Sequence, residues 1–578
     1  MASRKRFPAG NAPSKTARKG SSFPGQDISL NSSRAMGIVV VFFAVLLIFV
    51  ARLVFLQVVV AQEYSAQAQE SRTTTIELSP RRGTIYDRNG SVMAKSVDAT
   101  TVYCNPTEVK DAAGVAAKLA TVLGGQASDY QDALEAEDTP FAYVKRKADA
   151  DAAKTVKAMD LEGIYFLPDS KRVYPNNQVG GQVIGFVGND DAGLSGLELY
   201  YDDILKGAPG KMVAERGANG TPIPGGVRED TAATNGQDII VSLDVGMQEY
   251  LEGRLAQGVG DLEGKGGNSV IMDGATGEIY ACASLPYFNP SDTSKVEAGA
   301  TELRSITTAF EPGSIFKAVT VLGILEAGVM TPDDTIFCPN SLAADEYFVS
   351  DAHDRADQTM SLRDILDRSS NVGMSLAAEK LTFPVLYDAI IRYNLNEATG
   401  VDYPGEASGY LLDQAKWSLI QAYNVSFGQG ISITPLQMAR FYGALTNNGV
   451  ECTPHFLIAK PQSGETITYP TEDVIANKAA IPTLTSMLET VVTEGTGKPA
   501  AIEGYSVAGK TGTAEFADES GGYVKGVYNI SFVGYLPKSS SQLVCFVGAT
   551  EVPGDRSTTA VFKDIMTFAI DRYKITPQ

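Results

Sequence analysis

Glu311-Pro312-Gly313-Ser314-Ile315-Phe316-Lys317 is the stretch from which the rest of the chain becomes readable. Pro312 and Gly313 end one segment; Ser314 opens a helix that the following apolar run carries to Gly328, a C-cap residue. Ser314 and Lys317 are three apart and share a helix face. A serine hydroxyl alone is a poor nucleophile, but a lysine desolvated beside it loses its charge and acts as base. The helix N-terminus adds backbone N–H groups that steady a developing anion. S-x-x-K is a short motif, and its plain alternative is a cap serine with a solvated lysine. Here it occurs once, in an apolar setting where a solvated lysine is out of place.

Two more segments matter. Ser369-Ser370-Asn371 follows a helix predicted over Ser361–Arg368. Two hydroxyls and an amide at a helix end can relay a proton and hold a carbonyl; alone, they read as a capped turn between helices. Lys510-Thr511-Gly512-Thr513 falls inside a strand predicted over Tyr505–Phe516. Alternation puts Thr511 and Thr513 on one side, and Gly512 between them marks close approach of a backbone or ligand. A lysine with two hydroxyls suits a carboxylate; the alternative is an exposed strand using threonine for its β propensity.

Outward from these, the pattern is clear from Gly236 on. A strand is expected at Asp238–Leu243, a helix at Gln248–Leu255, and strands at Ser269–Met272 and Glu278–Ala283 around the turn Gly274–Gly277. Helices fit Gly373–Lys380, Trp417–Tyr423 and Thr434–Asn447; strands fit Tyr528–Tyr535 and Gln542–Thr550; an amphipathic helix, Thr558–Tyr573, closes the chain. Strands at both ends with helices between imply one sheet built from both ends, a central helical lobe and an α+β class. Before Gly236 the character is mixed: a type I′ hairpin is expected at Asn89-Gly90, helices at Asp111–Leu123 and Ala148–Met159, and Gly-rich stretches near Val179–Gly196 and Ala218–Gly226.

The chain has 578 residues, enough for two or three domains, and a net charge of −20. Residues 1–34 carry seven basic side chains against the single acid Asp27, so the remainder is strongly acidic and unsuited to nucleic acid. The five cysteines are scattered with no C-x-x-C pair, and there are two histidines, so no metal or redox site is indicated. No G-x-S-x-G elbow surrounds a serine. Ala35–Ala51 is an uncharged, mostly apolar run, continued after Arg52 by Leu53–Val60. With a basic tail before it and an acidic body after it, it reads as one membrane span with a cytoplasmic N-terminus. The rival is a cleaved signal peptide ending near Ala66-Gln67-Ala68, but that site lies 17 residues beyond Ala51. Residues 1–34 read as a disordered tail.

Taken together, S-x-x-K, S-x-N and K-T-G in this order, on helix, turn and strand, are the motif set of serine β-lactamases and penicillin-binding proteins. Beyond them, Pro80–Lys95 resembles the R-G-x-I-x-D-R-N-G segment of class B penicillin-binding proteins. Arg172-Val173-Tyr174-Pro175, Ile184–Gly188 and Gly196-Leu197-Glu198 are similar to other stretches of their pedestal. Phe427-Gly428-Gln429-Gly430, Thr434-Pro435-Leu436-Gln437 and Ser531–Tyr535 are similar to parts of their transpeptidase domain. One departure is Leu303-Arg304, where the family often has Asn-Arg.

The resemblance implies a transpeptidase domain over residues 236–578, with a central antiparallel sheet, helices on both faces and a helical lobe. It implies an elongated mixed α/β pedestal of dimerisation type over 61–235, a transmembrane helix over 35–60 and a cytoplasmic tail over 1–34. It implies a monofunctional D,D-transpeptidase with no cofactor, leaning to division rather than elongation. Ser314 would be nucleophile, Lys317 general base, Ser369 the proton relay and Asn371 the holder of the donor amide. Lys510 would support the electrostatics, while Thr511, Gly512 and Thr513 would line the carboxylate site. Backbone N–H groups of Ser314 and Thr513 would form the oxyanion hole. Expected partners are peptidoglycan stem peptides, β-lactams, a membrane glycan polymerase of the SEDS type and divisome proteins. A β-lactamase or β-lactam sensor is the nearer alternative, but no E-x-x-N segment in a suitable setting stands between Asn371 and Lys510, and 34 cytoplasmic residues leave little for signalling. A non-catalytic scaffold is the other, against which stand the intact Ser314, Lys317 and Lys510.

Overall fold

A computed structural model describes residues 32–60, 73–137, 139, 141–216, 222–294, 296–517 and 523–578. The disordered-tail reading of residues 1–31, the Ala66-Gln67-Ala68 cleavage reading and residues 218–221 of the second Gly-rich stretch lie outside them.

From Leu543 to Ala549 every residue of the strand is buried, which requires cover on both sheet faces. The sheet is five-stranded and antiparallel, from β1 (Gly266–Asp273), β2 (Ile279–Ser284), β3 (Ala508–Ala517), β4 (Tyr523–Tyr535) and β5 (Leu543–Pro553), in the order β2-β1-β5-β4-β3. Strands from the two ends of the domain thus meet at β1 and β5, with Met272 opposite Val544. Met272, Val544 and Phe546 face a core shared with the helices Pro435–Thr446 and Ala480–Thr493. The alternate residues Ile271, Cys545 and Val547 face Leu251 and Leu255 of the helix Val245–Asp261 and Phe562 and Ile565 of the helix Thr559–Tyr573. The helical lobe packs Lys317–Ala327, Asn371–Leu381 and Phe383–Arg392 together. β3, with the K-T-G segment, is an edge of the sheet and lies against the turn holding Ser314.

Several expected boundaries move. β3 begins at Ala508; Tyr505 lies in the preceding turn and donates its hydroxyl to Ile575 O at 2.7 Å. The helix expected from Trp417 starts at Leu419, because Ser418 caps it by accepting from Gln421 N. Phe383–Arg392 and Ala480–Thr493 were not expected as helices, since Pro384, Pro482 and a run of β-branched residues mask their period. Ile85–Tyr86 and Val92–Cys104 do form a hairpin, but not through a type I′ turn. Of Asn89 and Gly90 only Gly90 has positive φ (85°), and the Asp87 carboxylate fixes the loop by accepting from Asn89 N and Ser91 N.

Within residues 77–211, Val92–Cys104 pairs with Ala142–Asp149 on one side and Ile164–Val173 on the other. Val102, Leu119, Val144 and Val156 close a small separate core. Ile85, Met93, Val183 and Leu197 belong instead to the large core that also holds Met272, Val544 and Phe546. Arg82 and Arg172 are buried there, each bonded through Nε to a different oxygen of buried Glu198, at 2.6 and 2.7 Å. Three segments far apart in sequence therefore close on one carboxylate.

Residues 1–76 and 212–230 form a second unit. Its described part is the helix Ser32–Val54, continued by a π-helical turn to Val59, and a three-stranded sheet in the order Thr73–Leu78, Gly210–Arg216, Pro222–Thr231. Arg34–Val58, 25 residues, is long and apolar enough to cross a bilayer once.

Candidate active site

Ser314 does not sit in the α-helix itself. Gly313–Phe316 form a 3₁₀ turn, and the α-helix starts at Lys317 and ends at Gly328 in the left-handed conformation. The cause is a contact between distant glycines: Gly313 has φ +55° and its N–H donates to Gly428 O at 2.9 Å, while Gly428 itself has φ +89°. In a 3₁₀ turn, residues three apart eclipse. That winding stacks Lys317 on Ser314 and brings Nζ to 3.0 Å from Ser314 Oγ.

The Lys317 amine is fully buried and meets three more oxygens: Ser369 O at 2.6 Å, Ser369 Oγ at 3.2 Å and Asn371 Oδ1 at 2.8 Å. Ser369 can offer both oxygens because its backbone is left-handed, φ +59°. Burial, and then the Lys510 charge, push the Lys317 amine far below its usual range, with Asp351 opposing. Lys510, also fully buried, donates to Ser369 Oγ at 3.1 Å, Thr511 O at 3.1 Å and Thr511 Oγ1 at 3.3 Å. Burial lowers it to about 7, against an upward pull from Asp367. Among the described residues, each amine thus has neutral oxygens alone as hydrogen-bond acceptors. An amine in that setting gives up its proton more readily than a solvated one.

Ser314, Lys317, Ser369, Asn371 and Lys510 are therefore joined by direct hydrogen bonds. Thr511 joins through Lys510, and Thr513 is exposed further along the same side of β3. Gly512 is buried against the turn holding Ser314: a Cβ there would stand 3.0 Å from Ile315 Cγ2 and 3.1 Å from Pro312 O. A Cβ on Gly313 would stand 2.9 Å from Thr513 O, so the two backbones expected to supply oxyanion donors are neighbours.

Three residues of the site escaped the sequence reading. Asp351 accepts from Ser370 Oγ, Asn371 N and Val372 N, and is paired with Arg355 at 2.6 Å. Thr496 shares a hydrogen bond with Thr511, Oγ1 to Oγ1 at 2.7 Å. Neither Asp351 nor Arg355 falls at a motif spacing, and Thr496 lies in a Gly-rich turn with no periodicity.

This geometry has relatives. Residues 267–567 match the Penicillin binding protein transpeptidase domain, and residues 77–241 the Penicillin-binding Protein dimerisation domain. The chain is 31% identical to stage V sporulation protein D of Bacillus subtilis, over 88% of this chain and 80% of that protein. It is 29% identical to the peptidoglycan D,D-transpeptidase FtsI of Escherichia coli K12, over 91% and 89%. Among solved structures it is similar to a peptidoglycan synthetase of Bifidobacterium adolescentis, with a TM-score of 0.70 and 26% identity over 88% of this chain and 98% of that one. With a transpeptidase match over more than half its length and a dimerisation match ahead of it, the chain belongs to the class B penicillin-binding proteins.

Proposed function

We propose that this protein is a serine D,D-transpeptidase that cross-links peptidoglycan stem peptides through an acyl-enzyme on Ser314 and is acylated by β-lactams. The observation that carries the reading is the buried Lys317 amine, 3.0 Å from Ser314 Oγ and hydrogen-bonded to neutral oxygens. Ser314 Oγ attacks the carbonyl between two D-alanines as its proton passes to Lys317. Backbone N–H groups of Ser314 and Thr513 steady the oxyanion. The peptide bond breaks, an ester forms on Ser314, and the proton travels through the Ser369 hydroxyl to the departing D-alanine amine. Asn371 holds the donor amide; Lys510, Thr511 and Thr513 face the terminal carboxylate, with Gly512 letting β3 approach the turn. An amine from a neighbouring stem peptide then attacks the ester, forms the cross-link and returns the proton to Ser314. A β-lactam enters by the same attack, opening its ring amide.

The same reading takes residues 1–34 as a cytoplasmic tail, 35–60 as the transmembrane helix, 61–235 as the pedestal and 236–578 as the catalytic domain outside the membrane. The seven basic residues ahead of the apolar helix support that orientation. A septal role, a SEDS-type glycan polymerase and divisome proteins as partners complete it, on the strength of the family resemblance and the compact pedestal. The test is intact-mass analysis after a penicillin. One stable adduct is expected, on the peptide holding Ser314 and lost in Ser314→Ala. An adduct that survives Ser314→Ala, or rapid penicillin turnover in place of labelling, overturns the reading.

A further inference from the structure

Between Cys338 and Gln358 the chain makes an excursion that carries a hairpin, Ser341–Ala344 with Tyr347–Ser350, and then Asp351. The motif set asks for no acid there. Its side chain, 11% exposed, nevertheless gathers donors from two directions. Oδ1 accepts from Asn371 N at 2.6 Å and Val372 N at 2.9 Å, Oδ2 from Ser370 Oγ at 2.8 Å, and Oδ2 also from Arg355 Nε at 2.6 Å. Arg355 is itself fixed by the carbonyls of Cys338, Pro339 and Ala356.

Asn371 N and Val372 N belong to the first turn of the helix Asn371–Leu381, where backbone donors have no partner inside the helix and the dipole favours an anion. Ser370 caps that helix by accepting from Gly373 N while donating to Asp351. One carboxylate therefore sets the first turn. That turn carries Asn371, and the residue just before its cap is Ser369, whose left-handed backbone persists only where its surroundings fix it.

We propose that Asp351, held by Arg355, is a positioning residue for acylation: it clamps the Ser369-Ser370-Asn371 turn so that Ser369 O, Ser369 Oγ and Asn371 Oδ1 converge on the Lys317 amine. The proposal rests on Ser314 as nucleophile and Lys317 as base. Its electrostatic side has an opposite sign to its geometric side. The charged groups that face Lys317 are Lys510, from β3, and Asp351, from the excursion; Lys510 favours the neutral amine and Asp351 the ammonium. Asp351 in turn faces Arg355 and the Cys338 thiol. Losing the Asp351 charge should slow the acylation plateau by loosening the turn, yet move the rising limb of the pH profile to lower pH.

The experiment uses full-length protein in detergent and a fluorescent penicillin. It measures the second-order acylation rate from pH 5.5 to 9.5, the labelled fraction at saturation and Tm, for wild type, Asp351→Asn, Asp351→Ala and Arg355→Lys. Asp351→Asn is expected to lose roughly 10²-fold in plateau rate, to label fully at saturation and to shift its limb downward. Arg355→Lys keeps the charge but not the fork, and is expected to lose less with its limb in place. Wild-type rate and pH profile in both Asp351 variants overturn the proposal. So does a rate loss matched by a loss of labelled fraction with an unmoved limb, the signature of a structural role alone. A wild-type protein that takes up no penicillin at all instead strikes at the reading of Ser314 and Lys317.

Discussion

At a junction of segments within the region matched by the dimerisation domain, Arg82 and Arg172 divide the two oxygens of Glu198 between them; in the candidate site, Lys317 and Lys510 both turn to the one hydroxyl of Ser369. All four cations are buried. Arg82 is desolvated, but Glu198 and Asp202 more than offset this and raise its pKa. Among the described residues the two lysines have no carboxylate acceptor, and they are pushed down, Lys317 by burial and by Lys510, Lys510 by burial. Arginine stays charged in any protein setting and presents a fork matched to a carboxylate, whereas a buried lysine gives up its proton. The proton is held firmly where charge ties segments together and loosely beside Ser314.

Replacing one ionisable group in each cluster should separate these roles. Lys317→Met removes the base and an unpaired buried amine together. Acylation by a fluorescent penicillin is expected to fall by roughly three orders of magnitude, while Tm holds or rises, because burying an amine without a counter-ion is unfavourable. A Lys317→Met protein that melts far below wild type would mean that the amine was a structural ion after all. Next in size is Glu198→Gln. It leaves two buried guanidiniums short of their counter-charge and is expected to cost about 3 kcal/mol of stability, read from denaturant unfolding, with the acylation rate per folded molecule unchanged. A Glu198→Gln protein as stable as wild type would erase the contrast between the clusters.

The two clusters were not equally legible in the sequence. Ser314, Lys317 and the K-T-G segment could be read because local winding fixes their relation: three residues along a turn, or alternate residues along a strand. Arg82, Arg172 and Glu198 belong to segments separated by up to 116 residues, so only likeness to a family marked them, and their convergence had to be seen. Asp351 was invisible for a related reason. It reaches Asn371 across 20 residues of loop, strand and short helix, a span that no periodicity describes. The sheet built from both chain ends was legible because its strands are short, apolar, β-branched runs bounded by turn residues. The helices Phe383–Arg392 and Ala480–Thr493 were not, since tertiary burial overrides their proline and β-branched content. The 3₁₀ winding at Ser314 depends on contact with Gly428, more than a hundred residues away.

The smallest expected effect tests what replaces the missing carboxylate around Lys510. Its acceptors on β3 are the carbonyl and the hydroxyl of Thr511, and that hydroxyl meets Thr496, whose own N–H donates to Asp367 O at 3.1 Å. A line of neutral hydroxyls thus stands where the junction uses Glu198. Thr496→Val keeps the shape and deletes one link, freeing the Thr511 hydroxyl to rotate away from the amine. The hydroxyl is exposed, so water partly replaces it, and the loss should be about 1 kcal/mol: a several-fold slower acylation rate with Tm unchanged, restored by Thr496→Ser. Thr496→Val at the wild-type rate would show that Lys510 is oriented by Ser369 and the Thr511 carbonyl alone, and that the hydroxyl line ends at Thr511.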